Sequence, residues 1–180
     1  MQSQPKKQLG FTFIELVIVV VILGILSALL IPRYWEVARQ ARIASLEGVV
    51  GAMRSAVNIA RTNALSQGIR PAGSNPSPGS GGSQPNYVIQ MEGFRSEVDW
   101  RNLCPESRAE DEDAVSMLDY ISLQLTNDIT NDGDLKTSFD NQYTWVGYDI
   151  ITNGDPGGCY VVYDSFGDPS CTIDLIIDDC

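Results

Sequence analysis

No histidine occurs among the 180 residues. Its absence removes the commonest general base and a common metal ligand. Bases are scarce where most of the chain lies. Residues 71–180 hold four against twenty acids, a net −16, whereas residues 1–10 carry +2 and residues 11–70 carry +3. The whole chain stands at −11. So acidic a segment argues against phosphate-backbone contacts, which need cationic side chains. Its expected effect is solubility, and no nucleic-acid partner is expected. The four cysteines, Cys104, Cys159, Cys171 and Cys180, contain no CxxC pair, which weighs against a zinc site. No Ser, Asp or Glu stands in a nucleophile-with-base pattern, so neither an enzyme nor a cofactor is expected. A cleavage site of the A-x-A kind is also missing after the long apolar run, which ends in Ile31-Pro32-Arg33-Tyr34. That excludes an ordinary secretory signal.

What is present begins with GFTFIELVIVVVILGILSALLIP, residues 10–32. Residues 11–31 extend about 31 Å as a helix, enough to span a bilayer. Lys6 and Lys7 precede the run and place the leader on the cytoplasmic side. Glu15 is the one ionisable side chain inside it. An isolated charge in hydrocarbon is costly, so this carboxylate needs a partner or a route to the headgroups.

Beyond the run, Leu46, Val49, Val50, Met53, Ala56, Val57, Ala60 and Ala64 recur at helical spacing, with Glu47, Arg54, Asn58 and Arg61 on the opposite face. The stripe predicts an amphipathic helix that ends at Gly68, before Pro71. Residues 11–67 as one helix would reach about 85 Å, kinked or loosened at Pro32. PAGSNPSPGSGGSQPN (71–86) predicts a flexible surface loop. Strands are predicted at 87–93, 144–150, 159–164 and 171–178. A short helix is predicted through Ala114, Leu118, Ile121 and Leu125, with Glu110, Asp111, Glu112 and Asp113 as its solvated approach. The class is α+β, a long N-terminal helix packed on a small antiparallel sheet. The divisions are a leader at 1–10, an apolar helix at 11–32, an amphipathic helix at 33–68 and a head at 69–180.

An even number of cysteines behind an export anchor fits disulfides. If 159–164 and 171–178 form a hairpin around Gly167, Cys159 lies near Cys180. A fully extended run from Cys171 to Cys180 would span about 30 Å, whereas bridged Cα atoms lie within about 7 Å. This favours Cys159–Cys180 with Cys104–Cys171. Cys104–Cys159 with Cys171–Cys180 stays open. DITNDGD (128–134) matches the start of a calcium loop at Asp128, Thr130, Asp132, Gly133 and Asp134, but Phe139 stands where a bidentate Glu is needed. A solvated turn without metal is expected.

Gly10-Phe11-Thr12-Phe13-Ile14-Glu15-Leu16 resembles the class III signal of type IV pilins and pseudopilins. The resemblance implies a prepilin peptidase that cuts after Gly10 and methylates the new N-terminus at Phe11. It implies that Glu15 pairs with the N-terminal amine of a neighbouring subunit and sets register in a helical homopolymer. Phe13 departs mildly, since leucine is commoner there, and Pro32 falls where the family often has proline. In the family's filaments the segment corresponding to Gly24 through Pro32 is often non-helical. A simple kink is the alternative. Phe11, Phe13, Tyr34 and Trp35 are read as packing and interfacial anchors rather than a charge pathway.

More narrowly, ASLEGVVGAMRSAVNIARTNALSQG and TWVGYD…GGCYVVY resemble type IVa pilins of the mannose-sensitive haemagglutinin type. The implied function is the structural major subunit of an extracellular type IV pilus, for attachment or motility. Its implied partners are copies of itself, the peptidase, the inner-membrane assembly machinery and, before assembly, the inner membrane. The alternatives are a type II secretion pseudopilin and a tip-located minor pilin or adhesin.

Overall fold

The structure, a computed structural model, describes residues 11–76, 84–111, 113–121, 135–151 and 157–180. Gly10 and the leader, part of the Pro/Gly/Ser loop (77–83), the end of the expected helix at Leu125 and the calcium-like stretch 128–134 lie outside these residues. The chain divides into two compact units, residues up to Gln40 and Ala41–Cys180.

Helix α1 runs over Phe13–Ser66, and the helical assignment continues through Gly24 and Pro32. Its end is a Schellman motif. Gly68 takes φ 84°, Ile69 N–H donates to Ala64 C=O at 3.0 Å and Gly68 N–H to Leu65 C=O at 3.1 Å. Ile69 packs with Ala64 in one buried cluster, the apolar contact that accompanies this cap. Glycine belongs at position 68 because a side chain disfavours positive φ.

Among the described residues the head holds two sheets. In the first, β1 (Val88–Met91) and β2 (Phe94–Glu97) form a hairpin in which Met91 faces Phe94, and β3 (Ala114–Val115) runs parallel to β2. The hairpin turn is Glu92-Gly93, with Gly93 at φ 93°. The second sheet is antiparallel, in the order β4 (Lys136–Phe139), β5 (Tyr143–Asp149), β6 (Cys159–Asp164), β7 (Thr172–Ile176). At the β5–β6 irregularity a Cβ on Gly147 would lie 2.4 Å from the Cys159 carbonyl oxygen, so no side chain fits.

Two expectations are corrected. Ala114 and Val115 form a strand, and the helix that follows, α2, is only Met117–Tyr120 among the described residues. Its start is set by a Ser116/Asp119 capping box rather than by the acids at 110–113. The expected strand at 87–93 is instead a strand and a turn. β2, β3 and β4 are not legible in the sequence because each is short, and charged residues (Arg95 and Glu97 in β2, Lys136 in β4) mask the alternation.

The head's core follows the predicted stripe. Leu46, Val49, Val50, Met53, Ala56 and Val57 are buried with Val146, Val161 and Tyr163 of β5 and β6. Ala60 and Ala64 are buried with Ile89, Val98 and Leu103. The small residues late in the stripe give the second cluster room for the Tyr87 ring. Burying one Leu or Val side chain contributes about 1.5–3 kcal/mol, so this shared face is the main bond between the helix and the sheets.

Candidate functional site

Helix α1 begins on its only early polar groups. Thr12 Oγ1 accepts from Glu15 N–H at 3.3 Å, while Glu15 Oε2 accepts from Thr12 N–H at 3.4 Å and from the Thr12 hydroxyl at 3.3 Å. This is a capping box, but its bonds are long, so it holds the carboxylate loosely. Phe11 and Phe13 are each 82% exposed, and Glu15 is exposed beside them. The carboxylate therefore lies on the N–H of the residue after Phe11. A cationic N-terminus at Phe11 would find an acceptor one residue away.

The apolar surface continues without cover. Leu16, Leu23, Leu26, Leu29, Leu30 and Ile31 are each at least 49% exposed. The stretch is long and apolar enough to cross a membrane, with mean hydropathy 3.1 over its best window, none of it buried. A Cβ on Gly24 would meet nothing within 4 Å, so packing inside the subunit does not demand glycine there. Pro32 stands within the helical assignment.

The cysteines form two disulfides, Cys104–Cys171 with Cα atoms 6.2 Å apart and Cys159–Cys180 with Cα atoms 4.8 Å apart. The β6–β7 register pairs Asp164 with Thr172 and Tyr160 with Ile176, which carries the chain after β7 back toward Cys159. Asp179 N–H donates to Gly158 C=O at 3.0 Å, and its carboxylate accepts from Gly158 N–H at 2.8 Å, so the tail is fastened beside its cysteine. Buried Asn102 positions the other bridge. Its amide nitrogen donates to the carbonyls of Ser165 (2.8 Å) and Gly167 (2.7 Å), and its oxygen accepts from Cys104 N–H (2.8 Å). Replacing Cys159 and Cys180 together by serine should cost about 2–5 kcal/mol of head stability, read as a lower melting temperature under oxidising conditions. Asn102→Ala should cost about 2–4 kcal/mol in the same measurement, because three backbone groups lose their partner in the interior.

A group of buried acids was not foreseen. Glu97 is fully buried and Glu106 is 4% exposed, and with Glu110 they bring carboxylate oxygens within 4.8 Å of one another. Glu97 Oε1 accepts from Gln84 N–H (2.9 Å), and Oε2 from the N–H groups of Glu110 (2.7 Å) and Asp111 (3.0 Å). Burial first, then the charges of Glu97, Glu110 and Asp99, push the Glu106 carboxyl up to about 9, against a lowering by Arg101. Burial and Glu97 also raise Glu110. The Glu97 oxygens are already filled by backbone donors and Glu106 keeps its proton at neutral pH. The sequence signal was thin. Glu97 alternates with Val98 like any strand residue, and Glu106 follows Pro105 in what reads as loop. Of the acids 110–113, Asp111 turns inward to Arg95 at 2.7 Å.

The family described as "Prokaryotic N-terminal methylation motif" matches residues 5–31, the span that holds Phe11, Glu15 and the exposed apolar helix. The chain is 47% identical over 55 residues to the type IV narrow pilus major component PilA5 of Thermus thermophilus, covering 31% of this chain and 47% of that one. It is 32% identical over 104 residues to the type IV major fimbrial protein FimA of Dichelobacter nodosus, covering 47% and 65%.

The N-terminal part of this chain is similar to type IV pilins and carries their methylation motif.

The chain is also 41% identical over 56 residues to type II secretion system core protein G of Pseudomonas aeruginosa, covering 31% of this chain and 39% of that one. It thus spans between about two fifths and two thirds of these relatives' lengths. No solved structure matches it. The chain combines an apolar helix with one acid near its start and a folded α+β head.

Proposed function

We propose that this chain is the structural major subunit of an extracellular type IV pilus, with a mechanical rather than a catalytic role. A prepilin peptidase removes residues 1–10 and methylates Phe11, and the inner membrane stores the subunit through residues 11–32 until the assembly machinery extracts it. The observation that carries this reading is the exposed apolar helix whose one ionisable side chain, Glu15, sits at its first turn beside Phe11. Moving such a helix from lipid into a bundle of like helices exchanges one apolar surrounding for another, so the net hydrophobic change is small. Specificity must then come from the polar group. Gly24 and Pro32 are the weakest helical positions, at about 1 and 3 kcal/mol relative to alanine. In the filament this stretch gives up its helical hydrogen bonds and lets the fibre extend.

Two disulfides in the head support export to an oxidising surface, since such bonds persist in exported proteins. The similarity to a type II secretion core protein favours a second reading, a short pseudopilin that stays in the envelope. Shearing intact cells separates the two. A pilus subunit is abundant in the sheared fibres, a pseudopilin remains with the cells, and a tip adhesin is present at a few copies per fibre. Mass spectrometry of the fibres should find a methylated N-terminus at Phe11; a chain starting at Met1 would overturn the processing step.

A further inference from the structure

Two depressions lie side by side in the Ala41–Cys180 unit, between α1 and β7. One, of about 320 Å³, is lined by Arg54, Asn58, Arg61 and Ser170 with Val57, Cys171 and Ile173 beneath them. Its neighbour, of about 410 Å³, shares Arg54 and Ile173 and adds Glu47 and Asp174. Arg54, Asn58 and Arg61 stand at helical spacing on one face. No acid lines the first depression. Two other arginines of the head are neutralised at short range: Arg95 by Asp111 at 2.7 Å, and Arg101 by Asp99 at 2.6 Å between the rings of Trp100 and Phe166. Arg42, Arg70 and Arg108 are in no ion pair among the described residues, but only Arg54 and Arg61 line one depression together. Among the described residues neither has a carboxylate within 4 Å, and Arg61 only donates to Ser170 Oγ at 3.3 Å.

The opposite charge gathers at the far end of β7. Asp149 pairs in register with Cys159, which is bonded to Cys180, so Asp149 and Asp178 share that end of the sheet. Both are exposed, and among the described residues neither is in an ion pair. The cationic depression sits at the other end, by Ser170 and Ile173.

We infer that the Arg54–Arg61 depression is the docking site for the Asp149 and Asp178 carboxylates of a second copy of this chain. The inference rests on the polymer reading above. A helical polymer joins two different patches of the same molecule, so one chain must carry both halves of the contact. Opposite charges at opposite ends of one strand meet that requirement when copies stack end to end. Guanidinium groups suit the role because their planar donors take a carboxylate in two bonds.

The test is the yield of filaments sheared from cells that express the full-length chain. The double variant R54E/R61E should lose at least about tenfold in yield, and D149R/D178R should lose as much. All four substitutions together should return the yield to within about twofold of wild type. Membrane-fraction abundance and mobility on non-reducing gels should not change in any of them, which shows that the head still folds. Wild-type yield from R54E/R61E would overturn the docking site and leave the polymer reading standing. Loss in both pairs without rescue would overturn it too. Saturable binding of inorganic phosphate to wild type but not to R54E/R61E would then assign the depression to a free anion. No filaments from the wild-type chain would remove the polymer reading itself, and this contact with it.

Discussion

Glu106→Gln raises the stability of the head at neutral and alkaline pH and flattens its pH dependence. The wild-type carboxyl is buried among Glu97, Glu110 and Asp99, with Arg101 as the favourable charge among the described residues, and its folded pKa is about 9 against 4.5 for the free side chain. A proton bound more tightly in the folded state stabilises fully below pH 4.5. Between pH 4.5 and 9 the unfolded chain has lost this proton while the folded chain keeps it, so stability falls as pH rises. Above pH 9 the folded form must carry a buried charge. At about 1.4 kcal/mol per pKa unit, the loss across this window approaches 6 kcal/mol. Glutamine has the shape of the protonated acid, can still donate a hydrogen bond, and does not titrate. Thermal melts of the full chain in detergent, with disulfides intact, should find E106Q close to wild type at pH 4 and more stable by about 4–6 kcal/mol at pH 9. Parallel curves for the two proteins across this range would show that no buried proton is held at Glu106.

The second large effect is at Glu15, where capping and charge have to be separated. Glu15→Ala should leave membrane insertion unchanged, because the apolar stretch around it is untouched. Sheared filament yield should fall at least about tenfold, as expected when one partner of a buried charge pair is removed. Glu15→Gln decides the cause. Glutamine at the third helical position still completes the capping box with Thr12, but it has no charge to offer an amine. If helix capping were the role of Glu15, E15Q would assemble normally. If the carboxylate captures the Phe11 amine of a neighbour, E15Q fails like E15A. Equal membrane levels of all three proteins make filament yield the discriminating measurement.

How much was readable in advance depended on whether a residue's meaning is local. The stripe from Leu46 to Ala64 announces its own buried face, because helical periodicity is a property of the segment alone. Gly68 announces the helix end for the same reason: its positive φ and the Ile69–Ala64 bond need only neighbours in sequence. The hairpin after Cys159 was long enough, and alternating enough, for its register to place Cys159 near Cys180, and the structure has these two bonded. The short strands β2, β3 and β4 were not readable. Ala114–Val115 is a strand only because Arg95 and Ser96 of β2 are there to pair with it. The acids at 110–113 look solvated by composition, yet two of their backbone N–H groups hold the Glu97 carboxylate.

The sequence by itself determined the leader motif, the apolar helix with its single acid, the amphipathic stripe, the acidic head and the number of cysteines. Each is written in composition or in a period of a few residues. Only the tertiary structure decided that Glu97 and Glu106 share the interior, that Asn102 ties the Cys104 loop to the turn at Ser165–Gly167, and that Arg54 and Arg61 line a depression without an acid. Those facts join residues far apart in the chain. Desolvation and hydrogen bonding act through space, so their outcome is set only when the chain has folded.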